Sequence, residues 1–411
     1  MKKEYLLIPL ITLTLSATVH AKDLGEGLAN ESDAVLLKNA DNRYKHWNGV
    51  GKMFLDDVPG CTASLLDTRD YANRATGPAY LLTAAHCIPG VSGPKPSGQY
   101  KESVKFNYFN DTYSTSKSYA IKSAVWQDYD NSDIALYELE VPLATLIADG
   151  ITPLRLASQW AEVSTDVLIV NAPEHLPDSG LRLAACAQQY TSADLVEGDR
   201  VYVGALKNRC RQVLPGSSGS PVLDRLSGQI LAVVATSTGG ASVENRCDNN
   251  APCEARNGKI KWFADTHYSH PADYLAGCFR KGAFTKVANA CTAGYGFPIA
   301  HLEYFPTQYL VMPASATDPA PTISTEFLVR TPYYRYKTAR EARDCWSSRQ
   351  YSGVISANKT VLDAPVARDP GMHYLCVVGV KSVNQKPDAA LMKSAWITPA
   401  QLVERTPVTL P

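Results

Sequence analysis

Three short segments of this sequence contain residues that together could carry out nucleophilic catalysis. His86 ends a run of apolar and small residues, Asp133 opens an apolar run, and Ser218 lies among glycines and serines. Taken singly, each has an ordinary explanation: a structural histidine, an aspartate that caps a turn, and a flexible Gly/Ser hairpin. Taken together, they supply a base, a carboxylate that orients the base, and a hydroxyl nucleophile.

The glycines around Ser218 predict a sharp turn that is fixed in place. Residues 215–223 read Pro-Gly-Ser-Ser-Gly-Ser-Pro-Val-Leu. Glycine permits a turn that exposes one hydroxyl and directs backbone N–H groups at a common point, as an oxyanion site requires. Because an apolar strand-like run follows at once, we expect an ordered turn rather than a flexible hairpin.

The three segments resemble the motifs of the chymotrypsin-like serine peptidases. Thr-Ala-Ala-His-Cys at 83–87 resembles the histidine motif, Asp-Ile-Ala-Leu at 133–136 the aspartate motif, and Gly-Ser-Ser-Gly-Ser-Pro at 216–221 the nucleophile motif. The order His, Asp, Ser is also that of the family. The resemblance covers roughly residues 47–240, and it implies two antiparallel β-barrels with the site at their junction.

The resemblance assigns a role to each residue. His86 would be the general base and later the acid, Asp133 its orienting partner, and Ser218 the nucleophile. The N–H groups of Gly216 and Ser218 would form the oxyanion hole. An α/β-hydrolase is disfavoured, because its elbow reads Gly-x-Ser-x-Gly and its histidine comes last in the chain.

The nucleophile motif departs from that of animal trypsins. Those enzymes have an aspartate where this chain has Ser217, and no Ile-Val-Gly-Gly tetrapeptide stands near Trp47. The sequence Gly-x-Ser-Gly-Ser-Pro is nearer to the bacterial glutamyl-endopeptidase branch. We therefore expect activity that does not require a new amino terminus inserted into the core.

The substrate pocket is less sharply indicated. Gln212 stands where trypsins carry the aspartate that binds Arg or Lys, so that preference is unsupported. The opposite wall, and an edge to which an extended peptide could add, is expected at Thr236, Ser237, Thr238 and Gly239. These residues favour no single side chain and lack the histidine of a glutamate-selective pocket.

The amino terminus and the cysteines indicate export. Residues 1–21 have the layout of a secretory signal peptide: two lysines, a short apolar run and small residues at the cleavage point. An even number of cysteines in an exported chain predicts disulfides. They are Cys61, Cys87, Cys186, Cys210, Cys247, Cys253, Cys278, Cys291, Cys345 and Cys376, and local pairing joins them in that order. A zinc site with His267 and His270 is the weaker alternative, and we expect no metal and no cofactor.

Composition and patterning predict an all-β protein of several units. The chain has 411 residues, 45% of them apolar, and 40 basic against 40 acidic side chains, which gives no electrostatic case for binding nucleic acid. We expect a signal peptide at 1–21 and no membrane segment after its removal. The further units expected are an extension or propeptide at 22–46, a double-barrel peptidase domain at 47–312 with a disulfide-rich extension at 241–300, a linker at 313–322 and a small β-sandwich at 323–411.

These patterns predict a secreted or periplasmic serine endopeptidase that acts on proteins or peptides. The strands of 323–411 resemble a fibronectin type III or immunoglobulin-like module, for which docking to a substrate or surface is the expected role. The alternative is a binding protein or adhesin that keeps the peptidase scaffold without turnover. The residues quoted above leave both open.

Overall fold

The computed structural model describes residues 22–70, 72–88, 101–159, 165–285, 291, 293, 308–358 and 361–405, together with the backbone of 299–301. The expected signal peptide lies outside these residues. The strands of the amino-terminal half are β1 (Val35–Leu36), β2 (Val50–Leu55), β3 (Val58–Leu65), β4 (Pro78–Ala84), β5 (Glu102–Lys105), β6 (Ser118–Asp128), β7 (Ile134–Pro142), β8 (Thr165–Asn171), β9 (Arg182–Tyr190), β10 (Asp194–Glu197), β11 (Arg200–Tyr202), β12 (Leu206–Asn208) and β13 (Pro221–Asp224).

The remaining strands and the short helices follow. The strands are β14 (Ile230–Ser237), β15 (Cys253–Arg256), β16 (Lys259–Lys261), β17 (His267–Pro271), β18 (Phe279–Arg280), β19 (Ala283–Phe284), β20 (Ile299–His301), β21 (Gln308–Val311), β22 (Thr322–Val329), β23 (Tyr333–Ala339), β24 (Ile355–Ser356), β25 (Val361–Pro365), β26 (Gly371–Val380) and β27 (Trp396–Val403). The α-helices are α1 (Leu143–Ala148) and α2 (Ala389–Lys393), and 3-10 turns span Lys45–Trp47, Ala85–Cys87, Tyr113–Thr115, Val243–Asn245, Asp273–Cys278 and Ala342–Trp346.

Six strands close the first barrel in the order β2-β3-β4-β7-β6-β5. Successive side chains of a strand point to opposite faces. Leu81 of β4 therefore fills the barrel core with its cross-strand partner Tyr137, whereas the next pair, Leu82 and Leu136, faces outward. The strand period thus gives this sheet an apolar inside and a second apolar face.

The second barrel contains β8, β9, β12, β17, β14 and β13, and it closes because β8 pairs with both β9 and β13. Its core is built of small and branched side chains such as Ile169, Ala184, Val222 and Ala232. The outward face of the first barrel packs on it, since Leu82 and Leu136 share a cluster with Leu168, Leu183 and Val233. The fold is therefore the double antiparallel β-barrel, and the ends of β4 and β7 lie at the junction.

The structure differs from the sequence interpretation within residues 241–300. Residues 267–271, placed there within a disulfide-rich extension, form β17 inside the second barrel between β12 and β14. The segment His-Tyr-Ser-His-Pro lacks an apolar alternation, yet its two histidines are buried. Pairing on both edges, rather than side-chain pattern, determines this strand.

Residues 22–46, expected as an extension or propeptide, pack on the second barrel. β1 pairs with β9, and the Leu37 side chain is fully buried in the cluster between the barrels. Asp23 accepts two hydrogen bonds from the guanidinium of Arg225, at 2.8 and 2.9 Å. The Arg225 partner holds the pKa of Asp23 well below its usual range.

A small carboxyl-terminal β-sandwich completes the molecule. A sheet ordered β20-β22-β25 faces a second sheet ordered β21-β27-β26-β23-β24, and Ile323 and Phe327 of the first pack on Leu375 and Trp396 of the second. The other side of the larger sheet packs on a four-stranded sheet, β11-β10-β15-β16, that adjoins the barrels. The sandwich and the four-stranded sheet beside the barrels therefore share a core.

Five disulfides join the cysteines in the pairs that local pairing predicts: 61–87, 186–210, 247–253, 278–291 and 345–376. The bond between Cys61 and Cys87 ties β3 to the turn that carries His86. Among the described residues, no helix has the length and apolar character needed to cross a membrane.

Candidate active site

Strand pairing brings His86 and Asp133 together. Ala84 and Ile134 are paired at the ends of β4 and β7, and the Ala85 N–H donates to the carbonyl of Asp133 at 3.0 Å. The Asp133 carboxylate then accepts the His86 backbone N–H at 2.9 Å and faces the ring Nδ1 at 2.6 Å. The carboxylate fixes both the backbone and the ring of the histidine, which leaves Nε2 to take a proton.

The electrostatics favour a protonatable histidine. Burial lowers the pKa of His86, but the charge of Asp133 and its hydrogen bond raise it, and the nearby Glu197 acts in the same direction. The net effect is a raised pKa. A buried carboxylate that stabilises an imidazolium in this way is what a general base needs when it accepts a proton during a reaction.

Ser218 lies in the turn that leads into β13. Gly219, the next residue, has φ of +82°, and an added β-carbon there would be 2.2 Å from the carbonyl oxygen of Thr62 and 2.1 Å from the Thr83 hydroxyl. Only glycine fits this position. The motif's second glycine is thus explained by close packing of the turn against β3 and β4.

The backbone amides of the turn divide into two sets. Those of Ser217, Gly219 and Ser220 donate to backbone carbonyls at 2.8–3.0 Å. For the amides of Gly216 and Ser218, no acceptor is found among the described residues. Two such N–H groups, on residues separated by Ser217, are the donors that an oxyanion hole requires.

Ser218, His86 and Asp133 line one cleft of about 1250 Å³. No hydrogen bond joins the Ser218 hydroxyl to His86 within the described residues, a contact that in unliganded enzymes often forms only with substrate bound. The nucleophilic role of Ser218 and the oxyanion role of the two amides stay predictions.

A neutral hydrogen bond lies behind the turn that carries Ser218. The buried Ser217 hydroxyl donates to Oδ1 of Asn171, at the end of β8, at 2.9 Å. The hydroxyl of Thr62 donates to the Gly216 carbonyl at 2.9 Å and accepts the Ala172 N–H at 3.1 Å. The turn is therefore held by groups that need no processed amino terminus.

Four of the five pocket residues expected from sequence line the cleft, and one does not. Gln212, Thr236, Ser237 and Gly239 line the cleft, and the buried Oε1 of Gln212 has no partner among the described residues. Thr238 does not line it, because its hydroxyl turns inward and donates to the carbonyl of Phe263 at 2.6 Å. Because β14 ends at Ser237, the alternation of side chains along the strand does not extend to Thr238. Thr238 therefore contacts a neighbouring loop and is not part of the cleft wall.

Sequence reasoning missed two charged residues of the cleft wall. The buried Glu197 accepts the Thr236 hydroxyl at 2.6 Å and the Asn250 N–H at 2.8 Å, and burial raises its pKa. Arg200 lies 4.8 Å from the ring centre of Tyr129. A carboxylate and a guanidinium in an otherwise ordinary hairpin carry no motif, so only the fold reveals them.

The residues of the alternative zinc site do not form one. The sulfurs of Cys247 and Cys253 are joined to each other, so they are not free thiolates. Burial lowers the pKa of His267 and of His270 to about 4, which keeps both rings neutral. Among the described residues, the cluster with metal-ligand spacing is Cys61, His86 and Cys87, and its two sulfurs are likewise a disulfide.

Comparison with known proteins gives a family match and distant structural likenesses. Residues 68–233 match the family model of the trypsin-like peptidase domain. The Rv3671c protease from M. tuberculosis in its active form is similar at 17% identity and a TM-score of 0.35, covering 64% of this chain and 97% of that one. The thermostable serine protease AL20 from an extremophilic microorganism (14%, 0.35, 55% and 92%) and human heparin binding protein (12%, 0.37, 59% and 92%) are similar to a comparable extent. Likenesses at this level carry no argument about chemistry.

Proposed function

We propose that this chain is an exported serine endopeptidase, because residues 68–233 match the family model of the trypsin-like peptidase domain. The proposal depends on the hydrogen bond of 2.6 Å between His86 and Asp133, in a cleft that Ser218 and Gly216 also line. The amides of Gly216 and Ser218 have no acceptor in the described part of the chain. Base, orienting carboxylate, hydroxyl and oxyanion donors are the complete set for acyl transfer.

In the proposed reaction the Ser218 Oγ attacks the substrate carbonyl carbon while its proton passes to Nε2 of His86. The amides of Gly216 and Ser218 donate to the oxyanion that develops. His86 then gives the proton to the departing amine, and an acyl-enzyme remains. Water, deprotonated by His86, attacks the ester, and the proton returns to Ser218 as the acid product leaves.

Four finer points belong to the same proposal. We propose a relation to the bacterial glutamyl-endopeptidase branch on the Gly-x-Ser-Gly-Ser-Pro sequence alone. The neutral hydrogen bond between Ser217 and Asn171 supports activity without amino-terminal processing. Five disulfides support an oxidising compartment after removal of residues 1–21. The sandwich at 323–411 is proposed to dock a protein substrate or a surface.

Active-site labelling tests the proposal. We expect a fluorophosphonate to label the full mature chain and a peptide substrate to be cleaved, with both lost in Ser218→Ala and His86→Ala. Ser220→Ala serves as the matched control, since Ser220 is a buried residue of the same turn whose hydroxyl has no hydrogen-bond partner among the described residues. A chain that folds but is labelled in neither the parent nor the control would favour the non-catalytic binding protein.

A further inference from the structure

A buried lysine lies behind the turn that carries Ser218. Lys52 belongs to β2 and is only 2% exposed, although the neighbouring Val50 and Met53 fill apolar cores. Burying an ammonium group costs free energy unless other groups compensate for its lost hydration. The contacts of Lys52 must therefore compensate for the burial of its ammonium group.

Its contacts lie across the junction of the barrels. The Nζ atom donates to the carbonyl of Ala172 at 2.8 Å and to the Glu174 carboxylate at 3.4 Å. The same Nζ lies beside Gly216, where an added β-carbon would be 2.8 Å from it. Lys52 thus places a positive charge next to one of the two unpaired amides.

The segment that Lys52 holds is the one that fixes the turn. Within 171–174, Asn171 accepts the Ser217 hydroxyl, the Ala172 N–H reaches Gly216 through the hydroxyl of Thr62, and the Glu174 N–H donates to the Pro215 carbonyl at 2.8 Å. Three consecutive residues of the turn are thereby attached to one short segment. The Lys52 ammonium adds two further contacts to this segment, through the Ala172 carbonyl and the Glu174 carboxylate.

We propose that Lys52 is a positioning residue of the oxyanion turn, one that holds segment 171–174 against residues 215–217 and sets a positive charge beside the developing oxyanion. This inference rests on the proposed serine peptidase function. Preorganised charge aimed at a developing oxyanion stabilises the transition state more than the bound substrate. Loss of Lys52 should therefore lower kcat and leave KM nearly unchanged.

The charge of Lys52 should also set the alkaline limit of activity. Burial lowers the pKa of Lys52 to about 8, although the charge and hydrogen bond of Glu174 oppose this shift. Lys105, its cross-strand partner on β5, points its ammonium at the ring of Phe54, 4.8 Å from the ring centre, and Tyr108 lies near Glu174. Activity should fall as pH rises through about 8, because the ammonium loses its proton.

The first test compares Lys52→Met with Lys122→Met. Lys122 lies on the same barrel, but its side chain is 57% exposed and pairs with Glu138, so it controls for removal of a lysine. We expect kcat of Lys52→Met at pH 7 to fall about 10–100-fold, KM to change less than about twofold, and the alkaline limb near pH 8 to disappear. Unchanged kcat and an unchanged limb in Lys52→Met would overturn the inference.

A second variant keeps the test decisive if Lys52→Met does not fold. Glu174→Gln keeps the backbone contact to Pro215 but removes the charge that raises the pKa of Lys52, so the alkaline limb should move to lower pH. A limb that stays in place, or moves to higher pH, contradicts the proposal. A parent chain that fluorophosphonate fails to label at pH 7 contradicts the proposed function instead.

Stability measurements separate this effect from unfolding. The pKa of Lys52 is lower in the folded chain than in the unfolded chain, where it is about 10.4, so between these values the unfolded state binds more protons and folding gains from rising pH. Urea unfolding should therefore show that Lys52 contributes more stability at pH 9.5 than at pH 7, whereas activity falls over the same range. A parallel loss of stability, absent in Lys52→Met, would show that the limb reports unfolding.

Discussion

At the scale of single residues, the site depends on positions where one atom more or less matters. Gly219 is such a position, because β3 and β4 approach its α-carbon so closely that no side chain fits. Its neighbour Ser217 is another, because its buried hydroxyl holds the turn to Asn171. The catalytic geometry is thus set by packing behind the turn as much as by the residues that face the substrate.

Gly219→Ala should be far more damaging than a comparable glycine substitution elsewhere. Gly150 has a similar φ of +86°, but no atom of the described residues lies within 4 Å of an added β-carbon, so Gly150→Ala measures backbone strain alone. We expect Gly219→Ala to cost about 1–3 kcal/mol more in the free energy of unfolding and to abolish labelling. Chemical denaturation of both variants gives the comparison, and equal losses would show that the close approach is relieved by a shift of the turn.

The sequence predicted the residues that belong to motifs and missed those that do not. His86, Asp133 and Ser218 were predicted as site residues because a strand end or a glycine turn marks each of them. Lys52, Asn171 and Glu197 have no local mark, since their partners lie between 39 and 122 residues away. Only tertiary folding brings such partners together, so a single sequence does not reveal them.

At the scale of elements, the ends of strands position the candidate catalytic side chains, and short segments hold them in place. The registered pairing of β4 with β7 determines the contact between His86 and Asp133. Short apolar runs and turn residues predicted an all-β chain, and the family resemblance implied its two barrels. β17 was not predicted, because buried neutral histidines replace the apolar side chains expected of a core strand. A prediction based on side-chain polarity alone therefore misses a strand whose polar side chains are buried.

Leu37→Ala should destabilise the peptidase part, because residues 22–46 are built into its core. Leu37 is fully buried between the barrels, whereas Val35, two residues earlier in the same segment, is 43% exposed. We expect Leu37→Ala to cost about 2–5 kcal/mol and Val35→Ala less than about 0.5 kcal/mol in the free energy of unfolding. Urea unfolding measures both. Similar small losses would mean that this segment is a dispensable extension.

At the scale of the whole molecule, the β-sandwich is continuous with the cleft wall. Met372 and Tyr374 of β26 share an apolar cluster with Val196 of β10 and Val201 of β11. The fully buried Asp194 of β10 accepts the N–H of Ala342 at 2.8 Å. The hairpin that carries Glu197 is therefore supported from behind by the carboxyl-terminal module.

Deleting residues 313–411 should weaken the peptidase part itself. The deletion exposes the apolar face of the β10–β11 hairpin, and a loss of about 2 kcal/mol would lower the midpoint of thermal inactivation by about 4–8 °C. Val383→Ser, at a residue that is 51% exposed within the deleted segment, should leave the midpoint unchanged. Labelling after heating measures both. An unaltered midpoint in the deletion would show that the module is an independent appendage.

The hydrogen bond between Ser217 and Asn171 has a consequence for how such an enzyme is kept in check. A zymogen stays latent until a cut releases a new end, but this turn is completed by side chains already present in the newly folded chain. Under the proposed function, competence would arrive with folding itself. The producing cell would then avoid digesting its own proteins because the chain folds at a particular place and time. No later proteolytic cleavage would control its activity.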